Sequence, residues 1–182
     1  MDSYLQELKK TLASIDQKEV AALAELIYKA AERNKSVYIF GNGDSATNSF
    51  HISADLAKTA TMYKKRLKIV CLNENIPLMT AWANDESYDA IFLRQLENFL
   101  EKDDLVIGIS TSGNSPNVIR ALEFANNVGA HSVALTAFEG GKAKPIAKTS
   151  LIAKTKNVEV AEDIHFIIGH MSKYYLIKKW SP

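Results

Sequence analysis

The chain has 182 residues, 47% hydrophobic and 24% charged, which is enough to bury the core of one ordinary globular domain. Its 22 basic and 21 acidic residues are scattered and leave a formal net charge of +1, so there is no long-range field to attract nucleic acid or an anionic membrane. The single cysteine, Cys71, excludes an intramolecular disulfide, and its apolar surroundings predict a buried thiol.

The N-terminal segment does not read as a secretion signal. It lacks the basic and then apolar stretches of a signal peptide, and no stretch of the sequence approaches the roughly 20 apolar residues that span a bilayer. We therefore expect a soluble, cytoplasmic protein that binds neither nucleic acid nor membrane.

Helical and strand patterns alternate along the chain. Apolar residues at helical spacing predict helix from Tyr4 to about Ala31, as one long helix or as two broken near Asp16. Apolar runs predict strands at 37–40, 67–72, 105–109, 132–136 and 151–153. Helices are predicted at 45–62, 117–128 and 158–180, and two more within 76–100 joined through 83–86. Strands that are apolar on both faces and alternate with helices predict a parallel sheet covered on both sides, an α/β/α sandwich in one domain, 1–182.

Two strand-to-helix turns have the chemistry to hold an anion. In such a sheet, ligands bind beyond the carboxyl ends of the strands, where helix N-termini carry partial positive charge. The first turn is Gly41-Asn42-Gly43-Asp44-Ser45, in which the glycines permit close backbone approach. A simple glycine turn with Asp44 or Ser45 as helix cap explains this segment equally well.

The second turn is richer in hydroxyl groups. Ser110-Thr111-Ser112-Gly113-Asn114-Ser115-Pro116 places four hydroxyls around one glycine at a helix start. A serine-capped helix with Pro116 in its first turn explains Asn114 or Ser115, but it does not explain the three hydroxyl residues 110–112 together. The absence of a Gly-Lys-Ser/Thr ending argues against a nucleotide-hydrolysing P-loop, so this turn is a candidate phosphate site.

Four side chains on two predicted helices are candidates for chemistry. His51 and Asp55 are four residues apart, about 6 Å along a helix, a spacing that can bind one metal ion. Glu162 and His170 are eight apart, roughly 12 Å of rise and about 80° around the helix, so spacing alone does not predict joint ligation. Taken singly, His51 reads as an ordinary helix histidine and Asp55 as a solvated acid.

The remaining histidines read as structural. His165 lies about 140° around the predicted helix from His170, which favours a packed or supporting position, and His131 lies in a helix-to-strand connection.

Several segments, in order, resemble the phosphoheptose isomerase group of the SIS-domain family. Residues 108–118, Gly-Ile-Ser-Thr-Ser-Gly-Asn-Ser-Pro-Asn-Val, resemble its sugar-phosphate loop. The other matching segments are Gly41-Asn42-Gly43-x-Ser45 with His51 and an acid at 55, Ala83-Asn84-Asp85, Leu135-Thr136 with Gly140-Gly141-Lys142, and Glu162 with His165 and His170. The resemblance covers nearly the whole chain.

The resemblance implies properties that composition and spacing do not show. The implied fold is a five-stranded parallel sheet with long terminal helices. The implied assembly is a homotetramer with active sites at subunit interfaces. Residues 1–33 would serve oligomerisation, and residues 34–182 would form the sugar-phosphate-binding core. It implies one zinc ion held by His51, Asp55, Glu162 and His170, with Asp55, Glu162 and His170 catalytic. The implied substrate-binding residues are Asn42, Gly43, Ser45, Asn84, Asp85, Ser110, Thr111, Ser112, Ser115 and Glu162.

Three positions depart from the family pattern. Asp55 stands where the family usually has Glu, Glu162 where it has Gln, and Asp44 where it has a second glycine. A shorter side chain at 55 withdraws the usual general base, since proton transfer needs heavy atoms within roughly 3 Å. An added charge at 162 favours a bound cation and raises neighbouring pKa values.

The function that this resemblance implies is aldose–ketose isomerisation, of sedoheptulose 7-phosphate to a heptose 7-phosphate through an enediol. Two alternatives stay open from the sequence. One is a non-catalytic sugar-phosphate sensor, or a tetramer like the homologues that contact the replication initiator; the altered residues 55 and 162 would fit a decayed site. The other is an isomerase of a different phosphosugar.

Overall fold

The computed structural model describes residues 2–181, in which eight α-helices and five β-strands alternate. The helices are α1 Asp2–Ala13, α2 Gln17–Glu32, α3 Asp44–Met62, α4 Ile76–Asp85, α5 Leu93–Phe99, α6 Pro116–Val128, α7 Ala143–Ile146 and α8 Val158–Trp180. The strands are β1 Ser36–Gly41, β2 Lys68–Cys71, β3 Leu105–Ile109, β4 His131–Ala137 and β5 Thr149–Ala153, and a single 3-10 turn covers Tyr88–Ala90.

The five strands form one parallel sheet in the order β2-β1-β3-β4-β5. Two buried layers of apolar side chains lie on its opposite faces. One layer packs α2, α3 and α8 against the sheet around residues such as Ile27, Leu56 and Ile164. The other packs α5 and α6 around Phe92, Leu96 and Leu122. The predicted three-layer α/β/α sandwich with a five-stranded parallel sheet and long terminal helices is confirmed.

The N-terminal helical region is two helices that pack along α8. The break falls at residues 14–16, where the Asp16 carboxylate accepts a 2.8 Å hydrogen bond from the Lys18 amide and caps α2. The Tyr4 hydroxyl donates to Asp163 and the Tyr175 hydroxyl donates to Glu25 at 2.6 Å, so both N-terminal helices are tied to α8. The role of residues 1–33 in oligomerisation stays a prediction.

One predicted boundary was wrong, and one short helix was missed. Residues 83–85, expected to join two helices, are the last turn of α4, and the chain leaves the helix at Glu86, whose amide still bonds to the Trp82 carbonyl at 3.0 Å. The short helix α7 was not predicted, because four residues are too few to show a helical period.

The buried thiol is confirmed, since Cys71 is 2% exposed and burial raises its pKa to about 11. Within residues 2–181, no helix has both the length and the apolar character that crossing a membrane requires.

Candidate active site

The two candidate anion loops lie side by side. In the observed strand order, β1 connects to β2 on one side and β3 connects to β4 on the other, so the chain reverses direction across the sheet between β1 and β3. Gly41 at the end of β1 pairs with Ile109 at the end of β3, so the loops that follow start at the same level. A topological switch point of this kind is where open α/β sheets bind ligands.

Asn117, a buried residue, braces the two loops. Its amide nitrogen donates to the Asn42 side-chain oxygen and the Asn42 amide donates back, both at 2.9 Å. The Tyr88 hydroxyl donates to the same Asn42 oxygen at 2.9 Å. Asn42 is thus held by protein partners on both sides, and it fixes the spacing of the loops while lining the cleft between them.

That cleft has a volume of about 280 Å³, and seven of its ten lining residues have polar side chains. It is lined by Asn42, Ser45, Ile109, Ser110, Thr111, Ser112, Ser115, Phe138, Val158 and Glu162. The Ser115 hydroxyl makes no cap hydrogen bond to α6 and instead lies 3.1 Å from the Ser110 hydroxyl. Helix capping therefore does not explain Ser115, whereas Pro116 does occupy the first turn of α6 as expected.

Free donors surround the cleft. Within residues 2–181, the backbone amides of Thr111, Ser112 and Ser115 find no protein acceptor, and the Thr111 hydroxyl is buried without a partner. The N-termini of α3 and α6 also meet here, and each carries partial positive charge. Donors without protein acceptors at two helix starts fit a bound phosphate.

The glycine pair Gly140-Gly141 packs against the loop of residues 110–115, called the serine loop below. Gly113 has φ +64°, and a Cβ on it would lie 2.1 Å from the Gly140 carbonyl oxygen. A Cβ on Gly141 would lie 2.4 Å from the Ser112 carbonyl oxygen. The Ala143 amide also donates to the Gly113 carbonyl at 2.9 Å. Side chains are excluded at this contact, which gives a physical reason for glycine at 113 and 141.

A second group of predicted residues meets between α3 and α8. The Nε2 atoms of His51 and His170 are 3.2 Å apart, and Asp55 Oδ2 lies 3.4 Å from the first and 3.7 Å from the second. Ligands of a tetrahedral zinc ion at 2.0–2.1 Å are about 3.3 Å from one another. The three donor atoms therefore fit one zinc ion with a position left open, as in catalytic zinc sites.

Close packing of the two helices brings these side chains together. A Cβ on Gly169 would lie 2.5 Å from Ile52 Cγ1, so α8 approaches α3 to a distance that only glycine allows. The Asn48 amide donates to the Glu162 carbonyl at 3.0 Å and fixes the same pair of helices nearer their N-termini. The Phe166 ring packs against both histidines, with centroids 4.3 Å from His51 and 4.7 Å from His170.

The Asp55 carboxylate is further held by Lys173, whose ammonium donates to Oδ2 at 3.0 Å. Burial favours the neutral acid, but this ammonium and the two histidines outweigh it and hold the pKa of Asp55 below its usual range.

Glu162 lies with the serine loop and is not part of the His51–Asp55–His170 group. Its side chain lines the cleft, two helical turns before His170. Burial raises the pKa of Glu162, and the negative charges of Asp44, Glu159 and Asp163 raise it further. Asp44 itself is exposed in the first turn of α3, and Gly43 before it has φ +54°. Membership of Glu162 in the metal site stays a prediction.

Asn84 and Asp85 are placed apart from the cleft within the chain. Both are exposed at the end of α4, where the Asn84 amide donates to the Asp85 carboxylate at 2.9 Å. Their contact with substrate stays a prediction.

The other two histidines are structural. His165 is fully buried, and its Nε2 lies 2.9 Å from the Thr136 carbonyl oxygen, to which it must donate. Burial lowers the pKa of His165. His131 lies at the start of β4, opposite the candidate site, and pairs with the Thr149 hydroxyl at 2.9 Å.

Sequence reasoning missed three residues of the site: Asn117, Phe166 and Lys173. Phe166 and Lys173 could have been found by projecting α8, since they lie four residues before and three after His170 and share its face. Asn117 gave no such signal, because its role depends on how two distant loops pack.

The model of the SIS domain family matches residues 3–137. Among curated relatives, "Probable phosphoheptose isomerase" of Thermoplasma acidophilum is 34% identical over 168 residues, 92% of each chain. Phosphoheptose isomerase of Helicobacter pylori strain P12 is 34% identical over 169 residues, 93% of this chain and 88% of the relative.

Solved structures give the same result. A phosphoheptose isomerase from Neisseria gonorrhoeae superimposes with a TM-score of 0.86 at 27% identity, over 96% of this chain and 93% of that one. A phosphoheptose isomerase from Francisella tularensis superimposes with a TM-score of 0.90 at 24% identity, over 97% of this chain and 94% of that one. This match shows that the fold is shared.

Proposed function

The chain belongs to the SIS-domain family and, within it, to the phosphoheptose isomerases, and we infer that it is an aldose–ketose isomerase. Its substrate is sedoheptulose 7-phosphate, its product D-glycero-D-manno-heptose 7-phosphate, and its pathway heptose biosynthesis. The observation that carries this function is the presence, in one chain, of a hydroxyl-lined anion cleft and a His–Asp–His group joined by the same two helices, α3 and α8.

The cleft binds the phosphate of the substrate. The hydroxyls of Ser45, Ser110, Thr111, Ser112 and Ser115 and the free amides of the serine loop supply the hydrogen bonds. Along α3, Ser45 precedes His51 by six residues, roughly 9 Å of helical rise. Several carbon atoms can therefore lie between the bound phosphate and the carbonyl that reacts near His51.

Proton transfer is assigned to Asp55 and His170. Asp55 removes the proton from the carbon beside the carbonyl to give the enediol and returns it to the former carbonyl carbon. His170 moves one hydroxyl proton from one oxygen to the other. With no metal ion bound, the Asp55 Oδ2 and His170 Nε2 atoms, 3.7 Å apart, can both reach adjacent carbon and oxygen atoms of one substrate. Glu162, in the phosphate cleft, is better placed to accept hydrogen bonds from sugar hydroxyls than to act as this base.

The site residues also suit one zinc ion per active site. His51, Asp55 and His170 have the fitting donor geometry, and Glu162 supplies a fourth ligand if its side chain turns toward them. A bound zinc ion would polarise the substrate carbonyl as a Lewis acid.

We place the active site at a subunit interface of a homotetramer in the cytoplasm. The side chains of His51 and His170 are 44% and 41% exposed in one chain, whereas isomerase chemistry needs a site shielded from water. An apolar groove of about 430 Å³ beside His170, lined in part by Tyr174, could receive a second copy. Asn84 and Asp85 would then reach the substrate of a neighbouring subunit.

The alternatives are not favoured. A sensor or a decayed site has no need of His51, Asp55 and His170 in a geometry that suits a metal ion, with the phosphate cleft also present. The test is NMR of the anomeric protons during incubation with sedoheptulose 7-phosphate. Appearance of the heptose signals supports the isomerase, and binding without conversion supports the sensor.

A further inference from the structure

One oxygen atom of Asp55 is shared by three basic groups. Its Oδ2 accepts a hydrogen bond from the Lys173 ammonium at 3.0 Å and lies 3.4 Å and 3.7 Å from the Nε2 atoms of His51 and His170. This oxygen is the one that completes the metal-binding triangle. A positive charge of the protein itself therefore already occupies the carboxylate that a divalent ion would use.

The position of Lys173 is built into the helix. It lies three residues after His170 on α8, so the two side chains project from the same face. The side chains of Lys173 and Asp55 are 29% and 24% exposed, less than either histidine. Partial enclosure makes the interaction between their charges stronger than that of a fully solvated pair, because salt and water screen it less.

We propose that Lys173 limits the affinity of the His51–Asp55–His170 site for divalent ions. An ammonium and a divalent cation repel each other, and both would be bound by the Asp55 carboxylate. Binding of an ion must therefore displace the Lys173 ammonium or hold it close at a cost. The flexible four-carbon stem of lysine allows that displacement. This inference rests on the metal site of the proposed function and adds a residue that sets its occupancy.

The test compares Zn²⁺ affinity of the metal-free protein and its variants at pH 7.5, by titration against a chromophoric chelator. Lys173→Met keeps the length of the side chain and removes its charge, and should tighten Zn²⁺ binding about tenfold. Lys173→Arg should bind as the unmodified chain does. Lys58→Met is the matched control, because Lys58 lies one turn after Asp55 on α3 but is exposed and not bonded to it.

Equal or weaker Zn²⁺ binding by Lys173→Met overturns the inference, as does an equal gain in Lys58→Met. Absence of Zn²⁺ binding in every protein overturns both the inference and the zinc assignment. Turnover of sedoheptulose 7-phosphate is scored separately. If neither the unmodified chain nor any variant shows turnover, but Lys173→Met still binds Zn²⁺ more tightly, the isomerase function is refuted and the inference about Lys173 stands.

A second readout follows the lysine itself. Saturating Zn²⁺ should raise the rate at which acetic anhydride modifies Lys173 severalfold, measured by mass spectrometry, because the ammonium is released from Asp55. The rate at Lys58 should stay unchanged. An unchanged or slower rate at Lys173 contradicts displacement.

Discussion

The Nε2 atoms of His51 and His170 lie 3.2 Å apart, although 119 positions separate the two residues in sequence. The two helices that carry them, α3 and α8, are far apart in sequence but pack against each other. Gly169 sets how closely these helices approach, since a Cβ there would lie 2.5 Å from Ile52. The chemistry of the site therefore depends on a packing contact that carries no reactive group.

Gly169→Ala tests that dependence. Overpacking a tight core costs about 1–3 kcal/mol, while alanine recovers about 1 kcal/mol of helix propensity, so we expect a destabilisation of about 1 kcal/mol. A helix shift near 1 Å should also lower kcat by on the order of 100-fold. Urea unfolding and steady-state kinetics measure the two effects. Adding Ile52→Ala should restore much of kcat, and a double variant no faster than Gly169→Ala would contradict the packing explanation.

The phosphate cleft leads to a prediction about KM. Ser110→Ala removes a hydroxyl that faces the cleft, and loss of a hydrogen bond to a charged group costs about 1.5–3 kcal/mol. KM for the sugar phosphate should therefore rise about 10- to 100-fold, with a smaller change in kcat. Ser3→Ala, on the exposed face of α1, is the control. A Ser110→Ala enzyme with unchanged KM would show that the cleft does not bind phosphate.

Glu162 makes the folded chain sensitive to pH. Burial and the nearby charges of Asp44, Glu159 and Asp163 raise its pKa in the folded state above the ordinary value of 4.5. Ionisation is therefore less favourable in the folded chain, and this penalty develops as pH rises through the folded pKa. Glu162→Gln should be more stable than the unmodified chain at pH 7, with the difference vanishing below about pH 4.5.

Urea unfolding at pH 7 and pH 4 measures this effect. Glu123→Gln, at an exposed position on α6, should show no such gain. If Glu162→Gln is less stable at pH 7, the ionised carboxylate has a stabilising partner and the description of its surroundings is wrong.

His165 should make the free energy of unfolding depend on pH in the acidic range. Burial lowers its pKa below the unfolded value near 6.5, so the unfolded chain binds a proton that the folded chain does not. The free energy of unfolding should therefore fall as pH decreases below about 6.5. His165→Gln, which can still donate to the Thr136 carbonyl, should reduce the slope measured by urea unfolding between pH 7 and 5. An unchanged slope would mean that His165 does not contribute.

Much of the fold could be predicted from the sequence, because buried parallel strands read as apolar runs and long helices show their period. The span of α8 followed from such local signals. For the N-terminal region they left two alternatives open, and the pair of helices broken near Asp16 is the one observed. The helix α7 could not be predicted, since four residues show no helical period. The end of α4 could not be predicted either, because the polar residues at 84 and 85 resemble a loop.

The site was less predictable than the fold. His51 and Asp55 share a helical face by spacing, but their meeting with His170 depends on the contact between α3 and α8. Likewise, Asn117 was not singled out, because an amide that braces two loops leaves no spacing signal along the chain. The position of Lys173 on the face of His170 could be read from helical spacing, but its hydrogen bond to Asp55 depends on the contact between α3 and α8.

The most direct test of the central claim is turnover of sedoheptulose 7-phosphate by the unmodified chain and by Asp55→Asn and His170→Gln, followed by NMR of the anomeric protons. General acid–base groups contribute typically 10²–10⁴-fold, so each variant should lose at least about 100-fold in kcat. His131→Gln, at the opposite end of the sheet, should retain activity. We predict that the unmodified chain converts the substrate and that both Asp55→Asn and His170→Gln lose this activity. Conversion at an unchanged rate in either variant would contradict the assignment, and no conversion by the unmodified chain would contradict the isomerase itself.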